Sequence, residues 1–268
     1  MATMKINILS RCLGRQVDFN AIIPSYTLGR GRTEKFDDIY SPDNKYKLLI
    51  LLHGFTGDCN DYINFSNVVR YAEDNDIVVV MPSGFNSGYA NYEYGDKMRS
   101  FVAEELVKVC RYMLPVSDKY EDTYIGGLSM GAAGSAKIAL AYPDVFSKVL
   151  CMSGAPARLG MPRSVSLNWF GNDPNVYDSD PNKDDTKLIG TAEDAYFTAK
   201  DNIEKKKPLP EFFMTIGSLD FLLSTVRAFK EYIVDLGYKV KYEEIQGYGH
   251  QWEFWDLKVK ERLYEFFK

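Results

Sequence analysis

Histidine is almost absent from this chain: its 268 residues include only two, His53 and His250. Any imidazole chemistry must therefore draw on that pair. Cysteine is equally sparse. Cys12, Cys59, Cys110 and Cys151 are scattered, with neither C-x-x-C spacing nor the density of a disulfide framework, so reduced thiols are expected. Positive charge has no excess: 32 Lys and Arg against 37 Asp and Glu leave a formal charge of -5, which removes the electrostatic reason to expect nucleic acid or an anionic membrane as partner. No apolar run is long enough to span a bilayer, and Met1 to Leu9 lacks the apolar core and small-residue cleavage site of a secretory leader. A cytoplasmic location is the expectation. Internal repeats and low-complexity tracts are missing too.

What is present is an ordinary globular balance, 46% hydrophobic and 26% charged, in a length that suits a single domain over residues 1–268. Met4 to Leu9 and Gln16 to Ile23 read as an antiparallel strand pair about the break Leu13-Gly14-Arg15. Six further strands are predicted at Lys47–Leu52, Ile77–Met81, Thr123–Ile125, Lys148–Met152, Phe212–Ile216 and Lys239–Ile245. Several are nearly continuous in Val, Ile and Leu, as parallel strands buried on both faces should be. Helical periodicity is read over Asp61–Ala72, Met98–Leu114, Met130–Ala141, Ser224–Leu236 and Trp252–Phe267. This alternation predicts an α/β fold, a mostly parallel doubly wound sheet with function at the carboxyl ends of its strands. Residues 156–210, rich in Asp, Asn, Pro and Lys, break the rhythm and read as a lid-like excursion over the active face.

The sharpest motif is Gly127-Leu128-Ser129-Met130-Gly131, set between a β-like run and a helix of small residues. The G-x-S-x-G pattern places a serine at the tip of a tight strand-to-helix turn. Alone such a match is often chance; here its setting and the other residues support it. A serine hydroxyl needs a base, usually an imidazole held by a carboxylate. His250, in a Gly-rich loop after the last strand, is the expected base, whereas His53 ends the first parallel strand and is expected to shape the turn into Gly54. Asp220, just beyond Phe212–Ile216, fits the chain order nucleophile, acid, histidine better than Asp194 or Asp235. Its bland alternative is a helix N-cap. Backbone N–H groups of Phe55 and Met130 are the expected oxyanion donors.

Other signals are weaker. Asp178-x-Asp180-x-Asn182-x-Asp184 has the oxygen spacing of a calcium loop, but Lys183 stands where glycine is needed and Ile189 where glutamate should close the shell, so a solvated loop is the reading. Trp252, Trp255, Val259, Leu263 and Phe266 form a core-facing helical stripe, of which only Trp252 is expected to reach the pocket beside His250.

Leu52-His53-Gly54-Phe55-Thr56-Gly57, Tyr89 to Gly95, Gly126 to Gly131, Leu150 to Ala155, Gly217 to Leu222 and Gly249-His250-Gln251-Trp252-Glu253-Phe254-Trp255-Asp256 together resemble the esterase D-like α/β hydrolases. The likeness is to their tributyrin esterase and feruloyl or acetyl esterase branch, related to carbohydrate esterase family 1, and runs nearly end to end. It implies an α/β-hydrolase fold with Ser129, Asp220 and His250 as nucleophile, acid and base and Phe55 and Met130 as oxyanion donors. Ala132 departs from it, standing where many relatives have glycine. Tyr89, Tyr92, Trp169 and Tyr248 are candidates to line the substrate pocket. The expected activity is a serine carboxylesterase on small-molecule esters with acetyl, butyryl or feruloyl groups, such as those on plant-polysaccharide fragments. It requires no cofactor or metal and loses activity on acidification as its base is protonated; homo-oligomerisation is left open. The alternatives are an S-formylglutathione hydrolase-like thioesterase and a non-catalytic binding module on the same architecture.

Overall fold

The computed structural model describes residues 1–160 and 186–267. Strands β1 (Ala2–Ser10) and β2 (Arg15–Ile23) form the expected hairpin, and β2 runs antiparallel to β4 (Ile77–Pro82). From there β3 (Lys47–Leu52), β5 (Thr123–Leu128), β6 (Lys148–Met152), β7 (Glu211–Gly217) and β8 (Val240–Ile245) continue in parallel, giving one sheet of order β1-β2-β4-β3-β5-β6-β7-β8. The predicted α/β-hydrolase architecture, mostly parallel with an antiparallel N-terminal pair, is what the chain adopts.

Alternation within each buried strand sends side chains to two cores. Leu48, Ile50 and Leu52 of β3 join Val78 and Val80 of β4 on one face, while Leu49 and Leu51 join Ile77, Val79 and Met81 on the other. The first face is covered by α4 (Met98–Ser100), a π turn over Phe101–Leu106, α5 (Val107–Met113), α6 (Met130–Ala141), α7 (Ala195–Glu204) and α8 (Leu223–Asp235). The second is covered by α2 (Asp61–Phe65), α3 (Val68–Asp74) and α9 (Trp252–Phe267), and a single turn, α1 (Phe36–Ile39), precedes β3. Both faces are dry, so the central strands need no polar side.

Three departures from the sequence reading have physical causes. The helix expected over Asp61–Ala72 is two, because Ser66 is extended and its hydroxyl bonds back to the Tyr62 carbonyl; Asp256 of α9 then accepts the Asn67 N–H (2.8 Å) where α3 begins. The helix over Met98–Leu114 contains the π turn, which carries Glu105; its carboxylate accepts the Ser10 hydroxyl and the Arg11 and Cys12 N–H groups at the β1–β2 turn. The stretch read as an excursion contains α7, N-capped by Asp194 through the Tyr196 and Phe197 N–H groups. The calcium-like spacing and Trp169 lie outside the described residues.

Candidate active site

Ser129 joins β5 directly to α6 with φ 54° and ψ -117°, a conformation that non-glycine residues rarely hold. Crowding explains the glycines on either side. A Cβ on Gly127 would stand 2.6 Å from the Leu52 carbonyl oxygen and 2.5 Å from the Gly131 backbone, and one on Gly131 would stand 2.3 Å from that same Leu52 oxygen. The turn is thus clamped against the end of β3, and the Ser129 N–H is tied to the Met152 carbonyl (2.9 Å) at the end of β6. Ala132, the departure noted in the motif, is fully buried beneath it and accommodated.

Two loops at the same sheet edge complete the arrangement. Asp220 follows β7 by three residues, its side chain wholly buried; one carboxylate oxygen accepts the Leu222 N–H (2.9 Å) and the other accepts Nδ1–H of His250 (2.9 Å). Asp220 is not the N-cap of α8, since Leu222 holds that position without a side-chain cap bond; Asp220 bonds the Leu222 N–H in the turn before the helix and also holds an imidazole. With the proton on Nδ1, Nε2 of His250 is an acceptor, and the Ser129 hydroxyl donates to it at 2.9 Å. Phe221 (4.6 Å between ring centres) and the edge-on Trp255 (4.9 Å) confine the ring. Asp194 is engaged in its cap, and Asp235 is the last residue of α8, fifteen positions beyond Asp220.

His53 is placed differently. It is buried, Nε2 accepts the Gly84 N–H (2.7 Å), and Nδ1–H donates to the Gly54 carbonyl (2.6 Å), while its own carbonyl accepts the Tyr89 hydroxyl. Burial lowers its pKa from the usual histidine value. Both ring nitrogens are consumed in joining the ends of β3 and β4.

A cavity of about 670 Å³ opens over Ser129 and His250. Phe55 lines it, and Met130 opens α6, where the first N–H groups lack intrahelical partners and the helix dipole favours negative charge. Trp252 lines it as expected, but Tyr89, Tyr92 and Tyr248 do not. Tyr89 is fully buried, its ring wedged against Gly84 and Gly134; Tyr92 bonds the Ser87 carbonyl; Tyr248 packs on Phe254. Trp255 corrects the expectation in the other sense, because it lines the cavity as well as the core. Sequence reasoning also missed Asp58, Asp61, Asn64 and Phe65, which line the cavity from the segment after β3. Their signal was available: they follow a strand carboxyl end, where such folds build sites.

Among the described residues no group of three or more His, Cys, Asp or Glu is placed to hold a metal ion, and no helix is long and apolar enough to cross a membrane. The family described as "Putative esterase" matches residues 25–266. An acetyl esterase of Caldicellulosiruptor saccharolyticus is 30% identical over 271 residues, spanning 97% of this chain and 96% of its own length. Among solved structures, the fluorophosphonate-binding serine hydrolase FphF of Staphylococcus aureus superposes with a TM-score of 0.82 at 24% identity, covering 100% of this chain and 98% of its own. The S-formylglutathione hydrolase FrmB from the same organism gives 0.80 at 24% identity, covering 100% and 99%. Both structural likenesses speak to the fold.

Proposed function

This chain belongs to the esterase family, and from that premise we propose that it is a serine carboxylesterase acting on short-chain or aromatic acyl esters. The observation that carries the reading is the continuous relay at 2.9 Å from the Ser129 hydroxyl to His250 and from His250 to the buried Asp220 carboxylate. Ser129 Oγ attacks the ester carbonyl while Nε2 takes its proton. The tetrahedral oxyanion is held by the Phe55 and Met130 N–H groups, an arrangement in which each donor contributes about 3 kcal/mol of transition-state stabilisation. Asp220 keeps the ring oriented and stabilises the imidazolium. Collapse breaks the bond to the alcohol, which leaves with the proton from Nε2. Water, deprotonated by the same nitrogen, then releases the acid and restores Ser129.

A short acyl group is favoured by the acetyl esterase relative, and the aromatic faces of Phe65, Trp252 and Trp255 suit a planar acyl group such as feruloyl. The cavity volume lies in the range that encloses a small ligand. The test is turnover of 4-nitrophenyl acetate, with a pre-steady-state burst of nitrophenol, by the wild type and Ser129→Ala. Hydrolysis that vanishes with the hydroxyl while the protein stays folded is expected. Equal rates in both would sink the proposal and favour a binding module. A panel of acetyl, butyryl and feruloyl esters beside glutathione thioesters then ranks the substrates.

A further inference from the structure

The cavity over Ser129 has an acidic lining. Among the described residues Asp58 and Asp61 line the cavity, no lysine or arginine does, and neither carboxylate forms an ion pair. Both are fixed in place. Asp58 accepts the Asn60 N–H (2.7 Å) and its side-chain amide (3.1 Å), and Asp61 accepts the Asp58 N–H (3.2 Å). Asn60 is in turn held by the Asn20 side chain (2.9 Å), and a Cβ on Gly57 would meet the Asp61 carboxylate at 1.9 Å. The charges are therefore preorganised and not free to swing away from an incoming group. Burial raises the Asp61 pKa, so its carboxylate is short of solvation and gains from a donor or a cation.

Resting on the esterase reading above, we propose that Asp58 and Asp61 select substrates by charge, admitting esters that are cationic or neutral and rejecting those that carry a carboxylate. The field of these two carboxylates, Asp58 exposed and Asp61 half-buried, acts on any charge bound in the cavity beside Ser129. At a separation on the order of 8 Å and water-like screening, each would change the ratio of cationic to anionic turnover by about fivefold. Glutathione thioesters, whose leaving group is anionic, fall on the rejected side.

The experiment uses two acetyl esters of matched size, (4-acetoxyphenyl)trimethylammonium and 4-acetoxybenzoate, and reads the ratio of their kcat/KM values. The wild type at low salt should exceed the Asp58→Asn, Asp61→Asn double variant in that ratio by about 25-fold, with each single variant intermediate. Differences in leaving-group reactivity cancel because each enzyme meets the same pair. Asparagine keeps an acceptor for the Asn60 and Asp58 N–H groups, and a second arm needs no variant: raising salt to 1 M, where screening acts within about 3 Å, should collapse the wild-type ratio. A ratio unmoved by the substitutions, whether or not salt moves it, overturns the proposal. The esterase reading is judged separately, by loss of 4-nitrophenyl acetate turnover in Ser129→Ala.

Discussion

The loops after β3 and β8 each present one histidine at the same edge of the sheet, and their surroundings divide the labour. His53 has a backbone partner on each nitrogen, the Gly84 N–H and the Gly54 carbonyl, so its ring is a strut between two strand ends. His250 has a carboxylate on one nitrogen and a hydroxyl on the other, and its ring borders a cavity. Backbone partners are immobile and cannot exchange a proton with a substrate; side-chain partners can. The lesson is that the partner set, more than the residue type or the strand-end position, decides which imidazole is available for chemistry.

The comparison can be broken most directly by removing each ring. His250→Ala should lower kcat by about 10^4-fold or more with little change in Tm, as should Ser129→Ala, and the double variant should be hardly worse because the two act as one unit. Steady-state kinetics alongside thermal melts would show it. His53→Ala should do the reverse. It leaves the Gly84 N–H and the Gly54 carbonyl without their partner in a dry site, a loss of about 3 kcal/mol in denaturant-measured stability, with a smaller effect on rate transmitted through the Phe55 loop. If a folded His53→Ala lost as much rate as His250→Ala, the division between strut and base would fail.

The same contrast explains what the sequence could and could not disclose. The central strands were legible because β3 and β4 are almost unbroken Val, Ile and Leu, a pattern that only burial on both faces requires. Ser129, Asp220 and His250 were legible as candidates because chain order and strand ends restrict where they can stand, and the structure brings them within hydrogen-bond reach. Helix α7 was hidden because its surface turns share the Asp and Lys content of the stretch before it, and its capping residue Asp194 is equally at home in a loop. Tyr89 was misplaced for a different reason. An aromatic residue near a site reads the same whether its ring faces the cavity or fills the space over Gly84 and Gly134, and only packing distinguishes them. Trp255 erred oppositely: three residues beyond Trp252, it shares that residue's face and reaches both core and cavity.

A gentler probe separates the two histidines by the pH dependence of stability and a conservative His53→Gln variant. Burial lowers the pKa of His53 in the folded state, outweighing its bond to Gly54 and the nearby charges of Asp61 and Asp58. In the unfolded chain its pKa returns to about 6.5, so between that value and the lower folded one the unfolded state binds the extra proton. Stability contributed by a neutral buried His53 is therefore complete above that reference value and declines as pH falls below it, by at most about 1.4 kcal/mol per pH unit. Glu105 acts in a lower window: burial raises its pKa, but its bonds to the Cys12 and Arg11 N–H groups and the Ser10 hydroxyl lower it further, so its contribution is lost only as acid reaches the carboxylate range. Asp61, raised by burial, works in the opposite sense to both. Denaturant melts from pH 7 to 5 should show a downward slope that His53→Gln flattens, because glutamine keeps a polar group between Gly54 and Gly84 and cannot titrate. At pH 7 the kcat/KM on a neutral ester should fall far less in His53→Gln than in His250→Ala, since only the His250 ring touches the Ser129 hydroxyl. A folded His53→Gln that lost turnover as His250→Ala does and kept the stability slope intact would reverse the assignment of the two loops.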